Sequence, residues 1–106
     1  MKKKILFIAT GGTIASVQTE KGLKPGFKGK ELLEFFPEAK KIGEIQVLQL
    51  CHLDSTNLLP IHWTQMAEAV AKNYNNYDGF VIGHGTDTLG YSSAALALAL
   101  QNIKKP

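Results

Sequence analysis

Three short apolar runs, at residues 5–9, 45–50 and 79–82, each lead within a few residues into a turn rich in small or hydroxyl residues. None of the three alternates cleanly between apolar and polar residues. Strands of this kind are covered on both faces, as in a parallel sheet. Helical patterns lie between and after them. Residues 30–36 read as a short helix stopped by Pro37. Residues 61–74 read as a longer one with Pro60 at its entrance. There Trp63, Met66, Ala67, Val70 and Tyr74 share one face at helical spacing, a core stripe and not a ligand site. Residues 92–102 are apolar nearly all round and predict a buried helix.

Strands alternating with helices predict an α/β fold. The expected form is an open parallel sheet with helices on both faces, as in Rossmann-like and flavodoxin-like domains. Residues 17–30 break the rhythm: they are polar, carry Gly22, Pro25, Gly26 and Gly29, and lack a helical stripe. They read as a hairpin or a mobile loop over the first strand. The chain stops as its last helix ends, so the expectation is one truncated amino-terminal domain over residues 1–106, with a carboxy-terminal domain absent.

Composition narrows the function classes. The net charge is +3, but five of the twelve lysines stand at the two ends, and arginine is absent. Nucleic-acid readers use Arg for bidentate contacts, so the basic balance reads as solvated termini and excludes a nucleic-acid partner. Cys51 is the single cysteine. It allows no intrachain disulfide and reads as a small core residue. The apolar run after Lys2, Lys3 and Lys4 is too short for a secretory signal, and nothing is long enough to span a membrane, so a cytoplasmic location is expected. His52, His62, His84 and Cys51 lack metal-ligand spacing; neither a metal nor a cofactor is expected.

The chemistry lies in the turn after each strand. Thr10-Gly11-Gly12-Thr13 comes after the first, Asp54-Ser55-Thr56-Asn57 after the second, and Gly83-His84-Gly85-Thr86-Asp87-Thr88 after the third. In a parallel sheet these turns leave by one edge, where open α/β folds bind ligands. Asp54-Ser55 and Thr86-Asp87 could each simply cap a helix. Gly11-Gly12 could be a phosphate turn, but it lacks the glycine spacing of the known phosphate loops. Taken together, the turns fit nucleophilic attack on a carbonyl: a threonine hydroxyl as nucleophile and backbone N–H groups of glycine-bordered turns as oxyanion donors. An aspartate suits a substrate ammonium, and a serine hydroxyl with turn amides suits a carboxylate. His84, the one base within these turns, reads as a packed structural residue.

Residues 8–15, Ile-Ala-Thr-Gly-Gly-Thr-Ile-Ala, resemble the first signature of the bacterial-type L-asparaginases. Gly83-His84-Gly85-Thr86-Asp87-Thr88-Leu89 resembles their second, and Ser55 stands where a substrate-binding serine is expected. The chain is most similar to the cytoplasmic type I branch. The resemblance implies hydrolysis of L-asparagine to L-aspartate and ammonia through a covalent acyl-enzyme, without a cofactor, in a homo-oligomer, usually a tetramer. Thr13 would be the first nucleophile and Thr86 a second catalytic hydroxyl coupled to a lysine. Asp87 would bind the α-ammonium and Ser55 the α-carboxylate, with Gly12, Thr56 and Gly85 completing the substrate site. Leu23 occupies the place of an assisting tyrosine, and the coupled lysine would lie beyond residue 106. Two alternatives share the pattern: the glutamine-hydrolysing subunit of a tRNA-dependent amidotransferase, and a non-catalytic amino-acid-binding module.

Overall fold

β1 (Lys3–Ala9) is the centre of a three-stranded parallel sheet, flanked by β4 (Gly43–Gln49) and β5 (Gly79–Gly83) in the order β4-β1-β5. The computed structural model describes residues 2–12, 16–19, 22–25, 29–34 and 36–106, the side chains of residues 16–19, 22–25 and 32 excepted. Register is set by Phe7, which stands between Val47 on β4 and Val81 on β5. The expected open parallel α/β sheet is therefore present.

Side chains alternate across β1. Leu6 and Ile8 point into a core shared with Ala69 and Val70 of α3 (Pro60–Asn73), and Tyr74, Phe80, Ile82 and Leu100 pack around it. Of the expected stripe Met66 and Val70 are buried, with Ala69 beside them, while Trp63, Ala67 and Tyr74 are half-buried. α4 (Leu89–Ala99) lies beside α3 in the same layer. The opposite face carries α1 (Gly29–Glu34), which meets β1 and β4. Gly29 sits so close to Ala9 and Val47 that a Cβ would come within 2.7 Å of both side chains, and its amide donates to Gln49 Oε1 at 2.7 Å.

Several expectations shift. The helix expected at residues 30–36 is Gly29–Glu34, and a further four-residue helix, α2 (Ala39–Ile42), follows Pro37. The described parts of residues 17–30 include an antiparallel pair, β2 (Ser16–Thr19) with β3 (Gly22–Pro25), so the hairpin is the correct reading. α4 begins three residues before the expected residue 92 and ends three before residue 102. It is not a buried helix: of its residues only Ser92 is buried, while Leu98 is 73% exposed. The reason is geometric, since α3 covers one side of α4 and no described element covers the other. Val81 is 51% exposed for a similar reason, because α1 and α2 lie over β1 and β4 and leave β5 bare on that face.

The carboxy-terminal lysines are not merely solvated. Lys105 Nζ donates to the carbonyls of Tyr74 (2.5 Å) and Tyr77 (2.8 Å) and stands 4.6 Å from the Tyr74 ring centre. A cation at the carboxyl end of α3 meets both the helix dipole and an aromatic face. Phe80 then donates its amide to the Pro106 carbonyl at 2.8 Å, beside β5. Among the described residues no helix is long and apolar enough to cross a membrane.

Candidate active site

Because β1, β4 and β5 run parallel, their carboxyl ends share one edge, and the three turns emerge together there. Thr10 closes the end of β1. It is buried, its hydroxyl and amide both donate to the Gly83 carbonyl (2.5 and 3.2 Å), and its own carbonyl accepts from Leu53 at 2.9 Å. One residue thereby ties the first turn to the other two.

Gly11 and Gly12 follow with φ of +98° and +95°, a region that glycine enters without steric cost. Space also demands them. A Cβ on Gly11 would come within 2.8 Å of the Leu53 carbonyl, and one on Gly12 would strike the Gly85 backbone. Gly85 is wedged in turn, since its Cβ would stand 2.9 Å from Ser55 Oγ. The turns expected to converge therefore do so, Gly12 against the Gly85 backbone and Gly85 against the Ser55 side chain.

The capping alternative separates cleanly. Asp54 is a cap: its carboxylate accepts from the Thr56 amide (3.1 Å) and hydroxyl (3.0 Å) at the start of a 3-10 turn, Ser55–Asn57. Those bonds, the amide first, hold its carboxyl below the usual aspartate range. Thr86 and Asp87 do not cap α4, whose N-cap is Thr88 without a side-chain bond. Both are exposed at the site's rim. Ser55 is 1% exposed, its hydroxyl accepting from the Thr88 amide at 3.3 Å while Thr88 Oγ1 donates back to the Ser55 carbonyl at 2.9 Å. Thr56 is exposed. Thr13 lies outside the described residues, and so does the Leu23 side chain.

His84 is packed and hydrogen-bonded, as expected, and reaches Gly85 O and Ser92 Oγ. His62 caps α3 by accepting the Leu59 amide on Nδ1 at 2.8 Å. The Cys51 thiol lies 3.6 Å from the Thr10 carbonyl, and burial pushes its pKa up, which suits an inert packing thiol. Among the described residues no group of three His, Cys, Asp or Glu side chains could hold a metal ion. Sequence reasoning missed Thr10 and Thr88 as fasteners. The available signal was their hydroxyls at buried strand and turn ends, which must find carbonyl partners.

A parallel sheet whose strand-end turns interlock around hydroxyl and carboxylate side chains defines an α/β domain with a candidate ligand site at the strand edge. The chain belongs to the asparaginase family: the model for "Asparaginase, N-terminal" matches residues 4–106. It is 40% identical over 104 residues to the L-asparaginase of Thermococcus kodakarensis, covering 97% of this chain and 32% of that protein. It is 41% identical over 106 residues to a glutamyl-tRNA(Gln) amidotransferase subunit of Pyrococcus abyssi, covering 97% of this chain and 24% of that one. Among solved structures, the thermostable T. kodakarensis L-asparaginase superposes with a TM-score of 0.77 at 39% identity, over 90% of this chain and 29% of that one. A probable cytoplasmic L-asparaginase from Campylobacter jejuni superposes with a TM-score of 0.80 at 30% identity, over 86% and 30%. The chain thus spans about a quarter to a third of the length of these relatives.

Proposed function

We propose that this chain is the amino-terminal part of a cytoplasmic, homo-oligomeric amidohydrolase that converts L-asparagine to L-aspartate and ammonia through a threonine acyl-enzyme. The observation that carries the reading is the interlocking of Gly12, Gly85 and Ser55. It brings the turn leading into Thr13 against the turn bearing Thr86 and Asp87. In this reading the Thr13 hydroxyl oxygen attacks the side-chain amide carbon while turn amides around Gly12 and Gly85 receive the developing oxyanion. Ammonia leaves with a proton, and water then cleaves the ester to aspartate and regenerates the threonine. Asp87, free of any capping duty, binds the substrate's α-ammonium; Ser55 and Thr56 face its α-carboxylate. His84 is not the base, because both ring nitrogens are already engaged. The lysine that the family resemblance couples to Thr86 fills that role from outside residues 1–106.

The amidotransferase subunit is the second reading, favoured by the equally high identity to the P. abyssi amidotransferase protein. Ammonia release by the intact enzyme from asparagine and from glutamine, with and without aminoacylated tRNA and its partner subunit, separates the two. Preferential hydrolysis of free asparagine supports the proposal. Glutamine hydrolysis that requires the partner supports the alternative. Release from neither amide leaves a binding module.

A further inference from the structure

Trp63, Ser92 and His84 form a hydrogen-bond chain that ends on the site turn. Trp63 Nε1 is 2.7 Å from Ser92 Oγ, Ser92 Oγ is 2.7 Å from His84 Nε2, and His84 Nδ1 is 2.5 Å from the Gly85 carbonyl. Chemistry fixes its direction. An indole N–H can only donate, and a carbonyl can only accept. Nδ1 must therefore carry a proton, since a bare nitrogen lone pair would face the Gly85 oxygen. In the neutral ring Nε2 is then an acceptor, and its donor is the Ser92 hydroxyl. Ser92 Oγ receives the Trp63 N–H on a lone pair, so both atoms of the hydroxyl are used. Ser92 is also the one buried residue of α4, at 1% exposure, which keeps water from competing.

The Gly85 carbonyl belongs to the peptide plane that carries the Thr86 N–H. In a trans peptide these two groups point in opposite senses. With the carbonyl held toward the imidazole on the α3–α4 side, the Thr86 N–H is directed away from the helices. We infer that Trp63, Ser92 and His84 are positioning residues that lock the Gly85–Thr86 peptide plane and so aim the Thr86 amide of the active site. The inference rests on the amidohydrolase reading for its kinetic consequence, though not for its geometry. It also gives Trp63 a role beyond core packing, linking α3 through α4 to the site.

The test pairs a spectrum with kinetics. Nitrogen NMR of the His84 ring, recorded above the imidazole titration range, is expected to show a protonated Nδ1 and an unprotonated Nε2. Replacement of Ser92 by Ala should mix the tautomers and shift the Thr86 amide resonance. In the intact enzyme His84→Asn places an amide N–H near the Nδ1 position, whereas His84→Gln reaches toward Ser92 and leaves Gly85 undonated. His84→Asn should keep kcat within a few-fold, and His84→Gln should lose about tenfold in kcat, the weight of one modest hydrogen bond at roughly 1.4 kcal/mol per decade. KM should move little in either. An Nε2-protonated ring, or equal kcat per folded molecule in both variants, overturns the inference. A wild-type enzyme inert toward every amide sinks the functional reading instead; the tautomer and the Thr86 resonance then decide the relay alone.

Discussion

Gly12 and Gly85 approach closely because neither has a side chain. Gly12→Ala must place a Cβ at φ +95° against backbone that cannot step aside. Backbone strain of this kind costs about 1–3 kcal/mol, so the variant should melt several degrees lower and lose activity. Unchanged melting and turnover would show that the turns do not meet. Asp87 carries a different expectation. Exposed and free of capping, it should matter most for substrates with an α-ammonium: Asp87→Asn should reduce kcat/KM for asparagine on the order of tenfold to a hundredfold more than for des-amino succinamate. Equal losses on both substrates would assign Asp87 a structural task. Asp54 sets a pH dependence. Its carboxyl is held down by the Thr56 amide and hydroxyl, so these bonds stabilise the turn above the ordinary aspartate range and are lost as pH falls through the depressed value. The Thr56 amide resonance should titrate with an apparent pKa below the ordinary 3.8, and a midpoint at or above it would contradict the bond.

At the scale of elements, α3 carries the core. Met66 is 0% exposed, so Met66→Ala should destabilise the fold by roughly 2–5 kcal/mol in denaturant titration, whereas a loss near zero would mean the site collapses or is wet. α3 was legible in the sequence because Trp63, Met66, Val70 and Tyr74 repeat at helical period over twelve residues. The three parallel strands were legible because short, largely apolar runs without clean alternation have few other uses. α2 was not: four residues, Ala39–Ile42, are too few to show a period. The environment of α4 was not legible either, since an apolar helix announces that it should be covered but not whether a neighbour is there to cover it. Its early start at Leu89 follows from Thr88 being drawn to the Ser55 carbonyl, a tertiary contact with no local signature. At the site, the gathering of Ser55, Gly85 and Gly12 followed from strand direction alone. The Trp63–Ser92–His84 chain crosses three elements and leaves no mark in spacing.

For the whole molecule, the described residues expose Val81, Tyr91 and Leu98 as large apolar groups beside β5 and along α4. Exposed apolar surface of this sort favours association. The 106-residue chain by itself should therefore sediment as larger species with rising concentration, and Leu98→Glu should reduce that tendency without altering its circular dichroism. A strict monomer at all concentrations would show that the surface is better covered than described. The proposed chemistry has Thr13 attack the substrate amide. Thr13→Ala in the intact enzyme tests it most directly, with ammonia release from asparagine as the readout and circular dichroism as the control for folding. Removal of a nucleophile costs several orders of magnitude in turnover, on the order of 10⁶-fold in well-studied hydrolases. A folded, inactive Thr13→Ala protein beside an active wild type is the expected outcome. A folded Thr13→Ala enzyme that releases ammonia at near-normal rate would remove Thr13 from the mechanism.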